Sequence, residues 1–411
     1  MKTKNQIFID QYIIKTFAFL LNFLVVFLGK ILSIDHNLNK KFKRIVICKF
    51  KGLGSIIQST PMIEAIKTIQ PDAEIIFVTT KSNEHFIRKI DIIDKVIVIN
   101  DKNILVLIQT LTVSLIKLIG LKPCVYIDLE IYSNFSTIVA LFSLSKNRIG
   151  FYLRSSSYRM GIYTHMMFFN SKAPISDAYL QIARLFGKIK HKPGLYPIHK
   201  NCQINSNILP NKPYIVINPN ASNLRIERRW HKENYRKLIL QLAQFDSELE
   251  IILIGNKSEY KYVSELIKDI HLNNVKNFAG KTNIDELITL IKNSKLVVTN
   301  DTGPMHLSFA CKSPTVCLFG PCSPDQYAMN ENAHVIFKRV YCSPCVHDFI
   351  IPPCGGNNVC MKLISVNEVL DVIIRFLKDE ITLNFKNDSS EQIVYEDSNE
   401  ILGLVVRTVK N

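Results

Sequence analysis

Acidic residues are scarce in this chain: 35 Asp and Glu stand against 51 Lys and Arg in 411 residues, a formal net charge of +16. That balance directs attention to anionic partners, namely nucleic acid, an anionic membrane surface or phosphorylated substrates. No zinc-finger, helix-turn-helix or RNP-like pattern is present and the basic residues are scattered, so nucleic acid is not an expected partner. No G-x-G-x-x-G follows the first apolar strand, which excludes the dinucleotide fingerprint of an NAD enzyme. No Asp-x-Asp occurs to bridge a metal to a diphosphate, so neither a metal nor another cofactor is expected. Tryptophan is limited to Trp230, which reads as a core anchor without a catalytic part. The apolar N-terminus lacks a small-residue cleavage site, so a secretory leader is not expected, and the ten cysteines suit a reducing cytoplasm.

What is present first is length, enough for two domains of ordinary size. Four segments are expected: an N-terminal helix over 1–41, an α/β domain over 42–209, a second over 210–380, and a tail over 381–411. TFAFLLNFLVVFLGKIL, Thr16 to Leu32, has Asn22 as its one polar residue near the middle. It is short for a span, which needs about 20 residues. Lys15 and Lys30 bracket it, and Lys40, Lys41, Lys43 and Arg44 follow. A short anchor, a helix lying in the membrane interface and a buried first helix all fit; the first two place the following domain on the cytoplasmic side of the inner membrane.

From Arg44 the rhythm is strand, loop, helix. RIVICKF, AEIIFVTT, KVIVIN and CVYIDLE read as strands, and IIQSTPMIEAIKTI has helical spacing in which Pro61 is tolerable only near the start. A second series opens after PNKP, Pro210 to Pro213, with YIVINPNA, a helix from about Glu233 to Phe245, and EIILIGN. SVNEVLDVIIRFLKDE starts on a capping box, Ser365 and Glu368, and is the last main helix expected. The fold class is therefore α/β, two Rossmann-like domains of parallel βαβ units, with ligands expected at strand C-terminal ends in a cleft between the halves.

The stretch NDTGPMHLSFA, Asn300 to Ala310, lies between the apolar runs KLVVT and TVCLFG. Gly303 permits a sharp turn, Pro304 fits a first helical turn, and Asp301 and Thr302 can cap. The helix start would offer N–H groups and partial positive charge to an anion, with His306 as a further donor. Arg228 and Arg229, in ERRWHKENY, precede a helix starting near His231 or Lys232, where the macrodipole disfavours cations; their forked donors suit phosphate.

NDTGPMHLSFACKSPTVCLFGPCSPDQY resembles the C-terminal motif of the heptosyltransferase family, the family-nine glycosyltransferases, where the matching segment grips the donor diphosphate. FKGLGSIIQSTPMIEAIKTIQPDAEI is similar to the family's N-terminal loop and helix, and INPNASNLRIERRWHKENYRKLILQL to its mid-chain element. The resemblance covers about Arg44 to Leu377. It implies a GT-B arrangement, a nucleotide-diphosphate sugar (ADP-heptose being one) on the C-terminal half, and an acceptor on the N-terminal half. Donor contacts are expected from Ser222, Arg228, Arg229, Asp301, Thr302, Gly303, Pro304 and His306, with Arg228 where the family usually has Lys.

Gly52, Gly54 and Ser55 form the expected acceptor loop, either a substrate approach or a plain turn. Many family members carry Gly-Asp where this chain has Gly54-Ser55, and a serine cannot by itself take a proton at neutral pH. The replacement base expected is Glu130, with Asp128 second. These alternate on one side of the fourth strand's end, though a cap and a solvated strand end fit them equally. Cys342, Cys345, Cys354 and Cys360, with His347 nearby, have the flavour of a metal site and equally of packed thiols. The expected activity is inverting transfer of a sugar to lipopolysaccharide or another lipid-linked glycan, without metal, at the membrane's cytoplasmic face. An inactive nucleotide-sugar-binding protein or a GT-B epimerase remains open.

Overall fold

The computed structural model describes residues 8–32, 36–198, 208–222, 225–349, 352–383 and 386–387. They divide into two compact units, Met1–Tyr196 and Pro197–Asn411, a division that falls ahead of the boundary expected at 209/210. Most of the tail expected over 381–411 lies outside the described residues.

In unit 1 the π-helical segment Ile9–Ile14 leads into α1, Lys15–Leu32. Then come β1 (Arg44–Cys48), α2 (Leu53–Ile69), β2 (Glu74–Thr80), β3 (Lys95–Ile99), α3 (Ile104–Leu121), β4 (Val125–Asp128), α4 (Asn134–Phe142), β5 (Asn147–Tyr152), β6 (His165–Phe168) and α5 (Ile175–Ala183). The strands form one sheet in the order β3-β2-β1-β4-β5-β6, with each neighbouring pair parallel. Val46, Cys48, Ile76, Val78 and Tyr126 bury one face against Leu107, Leu111, Leu115 and Leu118 of α3 and Val139 and Ala140 of α4. α2 packs against α5.

α2 corrects the expectation for Pro61, which lies well inside the helix. Pro61 has no N–H to give the carbonyl of Ile57, a loss that would ordinarily break a helix. The hydroxyl of Thr60 donates to that oxygen at 2.7 Å, and Ser59 does the same for Ile56 O at 2.7 Å. The Thr60 hydroxyl thus stands in for the one missing ladder bond.

α1 and the π-helical segment before it are fastened to the rest of unit 1 by a few polar groups. Asn22 Oδ1 accepts from Gly161 N at 2.6 Å and Ile162 N at 3.0 Å. The approach demands glycine, since a Cβ at Gly161 would come within 2.1 Å of Val26 Cγ2. Asp10 accepts from Asn134 N at 3.1 Å and Phe135 N at 2.8 Å, so it caps α4 from another element. Phe19, Leu20, Phe23, Phe27 and Ile31 face outward, exposed. The buried first helix among the sequence expectations is therefore not what forms.

Unit 2 runs β7 (Tyr214–Asn218), α6 (Lys232–Phe245), β8 (Glu250–Leu253), α7 (Tyr260–Leu266), β9 (Val275–Asn277), α8 (Ile284–Asn293), β10 (Leu296–Asn300), α9 (Gly303–Ala310), β11 (Thr315–Phe319), β12 (Ala333–Phe337), α10 (Val366–Leu377) and β13 (Lys386–Asn387). Its sheet order is β13-β12-β11-β10-β7-β8-β9. Trp230 is fully buried in the core beside Tyr235 and Leu238, and its Nε1 donates to Ile364 O at 3.0 Å. At α10 only half of the expected capping box forms. Ser365 accepts from Glu368 N at 3.2 Å, but the Glu368 carboxylate turns to Lys338 at 2.8 Å.

Candidate functional site

In unit 2 the central strands β7 and β10 end side by side, and their last residues build a polar floor. Asn218 Nδ2 donates to Thr299 Oγ1 at 3.0 Å and Thr302 Oγ1 at 2.7 Å. Asn300 Nδ2 donates to Asn220 O at 2.9 Å, while its Oδ1 accepts from Trp230 N at 3.1 Å and Tyr235 Oη at 3.0 Å. The sequence reading missed this network of buried amides. Its signal was an Asn closing each of two apolar strands, in VINPN and VVTND. Such a residue can tie strand ends together where the ladder stops.

α9 starts on this floor. Thr302 occupies the N-cap position, but its side chain makes no cap bond because its hydroxyl is committed to the Asn218 amide. Thr302, Gly303 and Pro304 are half-buried, whereas Met305 through Ala310 are buried. The helix start is thus open to solvent and offers partial positive charge there.

Arg228 lies beside that start. Its Nη1 is 3.5 Å from Asp301 Oδ2 in an ion pair and 3.5 Å from Asp301 O. Burial works against the guanidinium, but Asp301 holds its pKa well up. Arg228 Nε and Asp301 Oδ2 are buried and make no hydrogen bond, so the arginine is held in place with donor capacity to spare. Arg229 is turned elsewhere. It stacks on the Tyr262 ring at 4.0 Å and donates to Ala221 O at 3.2 Å, so the two arginines do not act as a pair. Ser222 is exposed on the same segment, its carbonyl accepting from Arg225 N at 2.9 Å.

His306 is buried with its ring edge-on to Phe309 and Tyr327. Burial pushes its pKa down to about 4, so at neutral pH it forms an uncharged wall and brings no positive charge to an anion.

In unit 1 the corresponding strand ends carry the carboxylates. Gly52, at φ +88°, turns the chain into α2, Gly54 is buried behind it, and Ser55 hydrogen-bonds the Tyr179 side chain. Glu130 binds the loop from across the sheet. Its Oε1 accepts from Phe50 N at 2.8 Å and Lys51 N at 2.9 Å, and its Oε2 pairs with Lys49 Nζ at 2.9 Å. It is therefore neither a solvated strand end nor an unengaged base. Lys49 is buried, which opposes its charge, and Glu130, with Tyr179 and Asp128, more than compensates. Asp128 lies beneath, 1% exposed. It accepts from Tyr163 Oη at 2.5 Å and Glu130 N at 2.9 Å; it does not cap the next helix, which Ser133 and Asp10 do.

Burial raises the pKa of Asp128 from 3.8 to about 6, against the hydrogen bonds from Tyr163 and Ser136. A carboxyl that binds its proton more tightly when folded loses stability as pH rises from its unfolded value through its folded one, here between about 4 and 6. A shift of that size corresponds to about 3 kcal/mol. Asp128→Asn mimics the protonated form, and Tyr163 can redirect its proton to Thr137 Oγ1 at 3.0 Å. The variant is expected to be more stable than wild type at pH 8, the gain vanishing below pH 4; urea titrations across that range measure it.

The thiols of Cys342, Cys345, Cys354 and Cys360 lie close enough to influence one another. Burial first, and then these neighbours, push Cys345 up to about 11 and Cys360 up to about 12. Cys354 Sγ accepts from Asn358 N at 3.3 Å, and His347 is engaged with Tyr327 Oη at 2.7 Å. Among the described residues no group of three or more His, Cys, Asp or Glu is arranged to hold a metal ion.

Comparison with known proteins places this geometry in context. The model of glycosyltransferase family 9 (heptosyltransferase) matches residues 136–350, more than half of the chain. Lipooligosaccharide heptosyltransferase 2 of Campylobacter jejuni is 32% identical over 174 residues, 41% of this chain and 52% of that protein. The chain thus spans about half the length of that curated relative. Lipopolysaccharide heptosyltransferase 1 of Campylobacter coli is 24% identical over 359 residues, 82% of this chain and 100% of that protein. The solved structure of Escherichia coli ADP-heptose LPS heptosyltransferase II superposes with a TM-score of 0.65 at 20% identity, covering 82% of this chain and 100% of that one. A family 9 glycosyltransferase from Veillonella parvula gives 0.68 at 19% identity, covering 84% and 100%. The fold is the two-domain, Rossmann-like GT-B class expected from the sequence.

Proposed function

This chain belongs to glycosyltransferase family 9, and from that membership we propose that it is an inverting transferase moving heptose from ADP-heptose to a lipopolysaccharide or related lipid-linked glycan. The observation that carries the reading is the solvent-open start of α9 with the Arg228–Asp301 pair beside it. The donor diphosphate sits on the amides opening α9, and Arg228 meets the charge that grows on the leaving phosphate. Asp301 keeps Arg228 aimed, and His306 closes the wall behind. Arg229, stacked on Tyr262, positions the segment carrying Arg228 and Ser222. The missing Asp-x-Asp motif supports charge neutralisation by these groups without a bridging metal.

Unit 1 supplies the acceptor side. Glu130 accepts the proton of the acceptor hydroxyl at Oε2, the oxygen that carries only the Lys49 bond. The resulting alkoxide attacks the anomeric carbon from the face opposite the diphosphate, and ADP leaves with the bonding pair. Asp128 is too deeply buried to reach an acceptor and holds Glu130 through its backbone N–H. Gly52, Gly54 and Ser55 shape the acceptor loop, which Glu130 ties down.

α1 brings the enzyme to the cytoplasmic face of the inner membrane. Its docking through Asn22 and Asp10, with its apolar side chains turned outward, supports a helix lying in the interface rather than spanning. The excess of basic residues then serves donor phosphate and lipid headgroups rather than nucleic acid.

Thermal-shift measurements against a panel of nucleotide sugars test the donor assignment. A ligand at one hundred times its dissociation constant adds about 2.7 kcal/mol of stability, so ADP-heptose is expected to raise Tm by several degrees and UDP-sugars far less. Release of ADP on adding a lipid-linked acceptor then reads transfer. Absence of any shift with ADP or ADP-heptose rejects the proposal, and free sugar as the product supports an epimerase instead.

A further inference from the structure

We infer that the outer face of α3 is a second membrane-docking surface of unit 1, one that seats in an anionic lipid interface independently of α1. The inference rests on the membrane side of the proposed function and not on its transfer chemistry.

α3 buries Leu107, Leu111, Leu115 and Leu118 against the sheet. The opposite stripe of such a helix is ordinarily polar. α6 in unit 2 follows that rule, with Lys232, Glu233, Arg236 and Lys237 outside its buried Tyr235, Leu238, Ile239 and Leu242. α3 does not. Leu105 and Ile116 are 76% and 64% exposed, and Ile108 and Ile119 are exposed beside them. α3 is long and apolar enough to cross a membrane, yet it is bound to the sheet by both ends, through β3 and β4. Lying flat on a bilayer is what remains for such a face.

The surface extends beyond one helix. α4 packs against both α3 and α1, and Phe142, with Leu144 just after it, is exposed. Together α1, α3 and α4 contain Lys15, Lys30 and Lys117 but no Asp or Glu. At the C-terminal end of α3 a cavity of about 410 Å³ is lined by Ile119 and Leu144 together with Lys40, Lys122 and Lys146. A cavity that combines apolar side chains with three lysines complements a lipid acyl region capped by a phosphodiester. A second copy of this chain would bring lysines against lysines, so charge favours anionic lipid over self-association.

The test uses the full chain and co-sedimentation with phosphatidylethanolamine–phosphatidylglycerol vesicles, with phosphatidylcholine vesicles as the neutral comparison. Leu105→Glu with Ile116→Glu is expected to lower partition onto the anionic vesicles at least tenfold. Lys122→Glu with Lys146→Glu is expected to weaken it chiefly at low salt, where headgroup attraction is least screened. Both are expected to keep the Tm and the ADP-heptose shift of wild type, which separates this inference from donor recognition. Ile116→Trp preserves apolar character should the glutamate variant misfold; its fluorescence is expected to be quenched by brominated phosphatidylglycerol, which leaves buried Trp230 unaffected. Partition equal to wild type in the glutamate variant, or no quenching in the tryptophan variant, overturns the inference. So does a change from dimer to monomer with partition unchanged, which would assign the face to a second copy.

Discussion

Glu130→Gln is expected to lower kcat by about 10²- to 10⁴-fold, the usual contribution of a general base, while the ADP-heptose thermal shift survives. Glutamine keeps an oxygen for the amides of Phe50 and Lys51, so the β1–α2 loop retains its anchor. The buried Lys49 ammonium loses its counter-charge, however, and breaking a buried ion pair from one side costs roughly 3–5 kcal/mol. Activity must therefore be measured where circular dichroism shows the variant folded. Lys49→Met decides between chemistry and scaffolding. It breaks the same ion pair but leaves the carboxylate, so its kcat should fall far less than that of Glu130→Gln. Equal losses in the two variants would make Glu130 a loop anchor and send the search for the base elsewhere.

Arg228→Ala is expected to weaken ADP-heptose binding by about 10- to 150-fold, from the roughly 1.5–3 kcal/mol of one charge-assisted hydrogen bond. Arg228→Lys should fall between, because an ammonium keeps the charge but not the fork. The alanine variant also leaves Asp301 buried without its partner, so Tm should drop in the absence of ligand. Arg228→Ala with Asp301→Asn restores part of that Tm but not the affinity. Isothermal titration with ADP-heptose reads the two effects separately. Wild-type affinity in Arg228→Ala would mean the arginine serves only Asp301.

Much of the fold was legible because buried strands are short apolar runs and the connecting helices announce themselves by spacing. The start of α9 was legible for a different reason: Gly and Pro have few places to stand, and a strand-to-helix turn is one of them. Simple local rules failed where a side chain supplied or diverted a bond. Pro61 sits inside α2 because Thr60 serves the stranded carbonyl, and Glu368 leaves its box for Lys338, which arrives from β12's far end. The pairing of Glu130 with Lys49 joins residues just past the ends of neighbouring strands, and spacing along one strand could not show it. α3 was opaque in another way. Periodicity reveals a buried face only by contrast with a polar one, and here the outside is as greasy as the inside. The Asn218–Asn300 network was hidden because an asparagine at a strand end reads equally as a turn former.

The capping of α4 by Asp10 bears on how this protein should be handled. A hydrophobic leader invites trimming for solubility, and here trimming would carry off the carboxylate that satisfies the amides of Asn134 and Phe135. α4 is the first helix after β4, which ends on Asp128 two residues before Glu130. A shortened protein that is soluble yet sluggish would thus report a slackened helix start near Asp128 and the proposed base Glu130, rather than the loss of a mere tether.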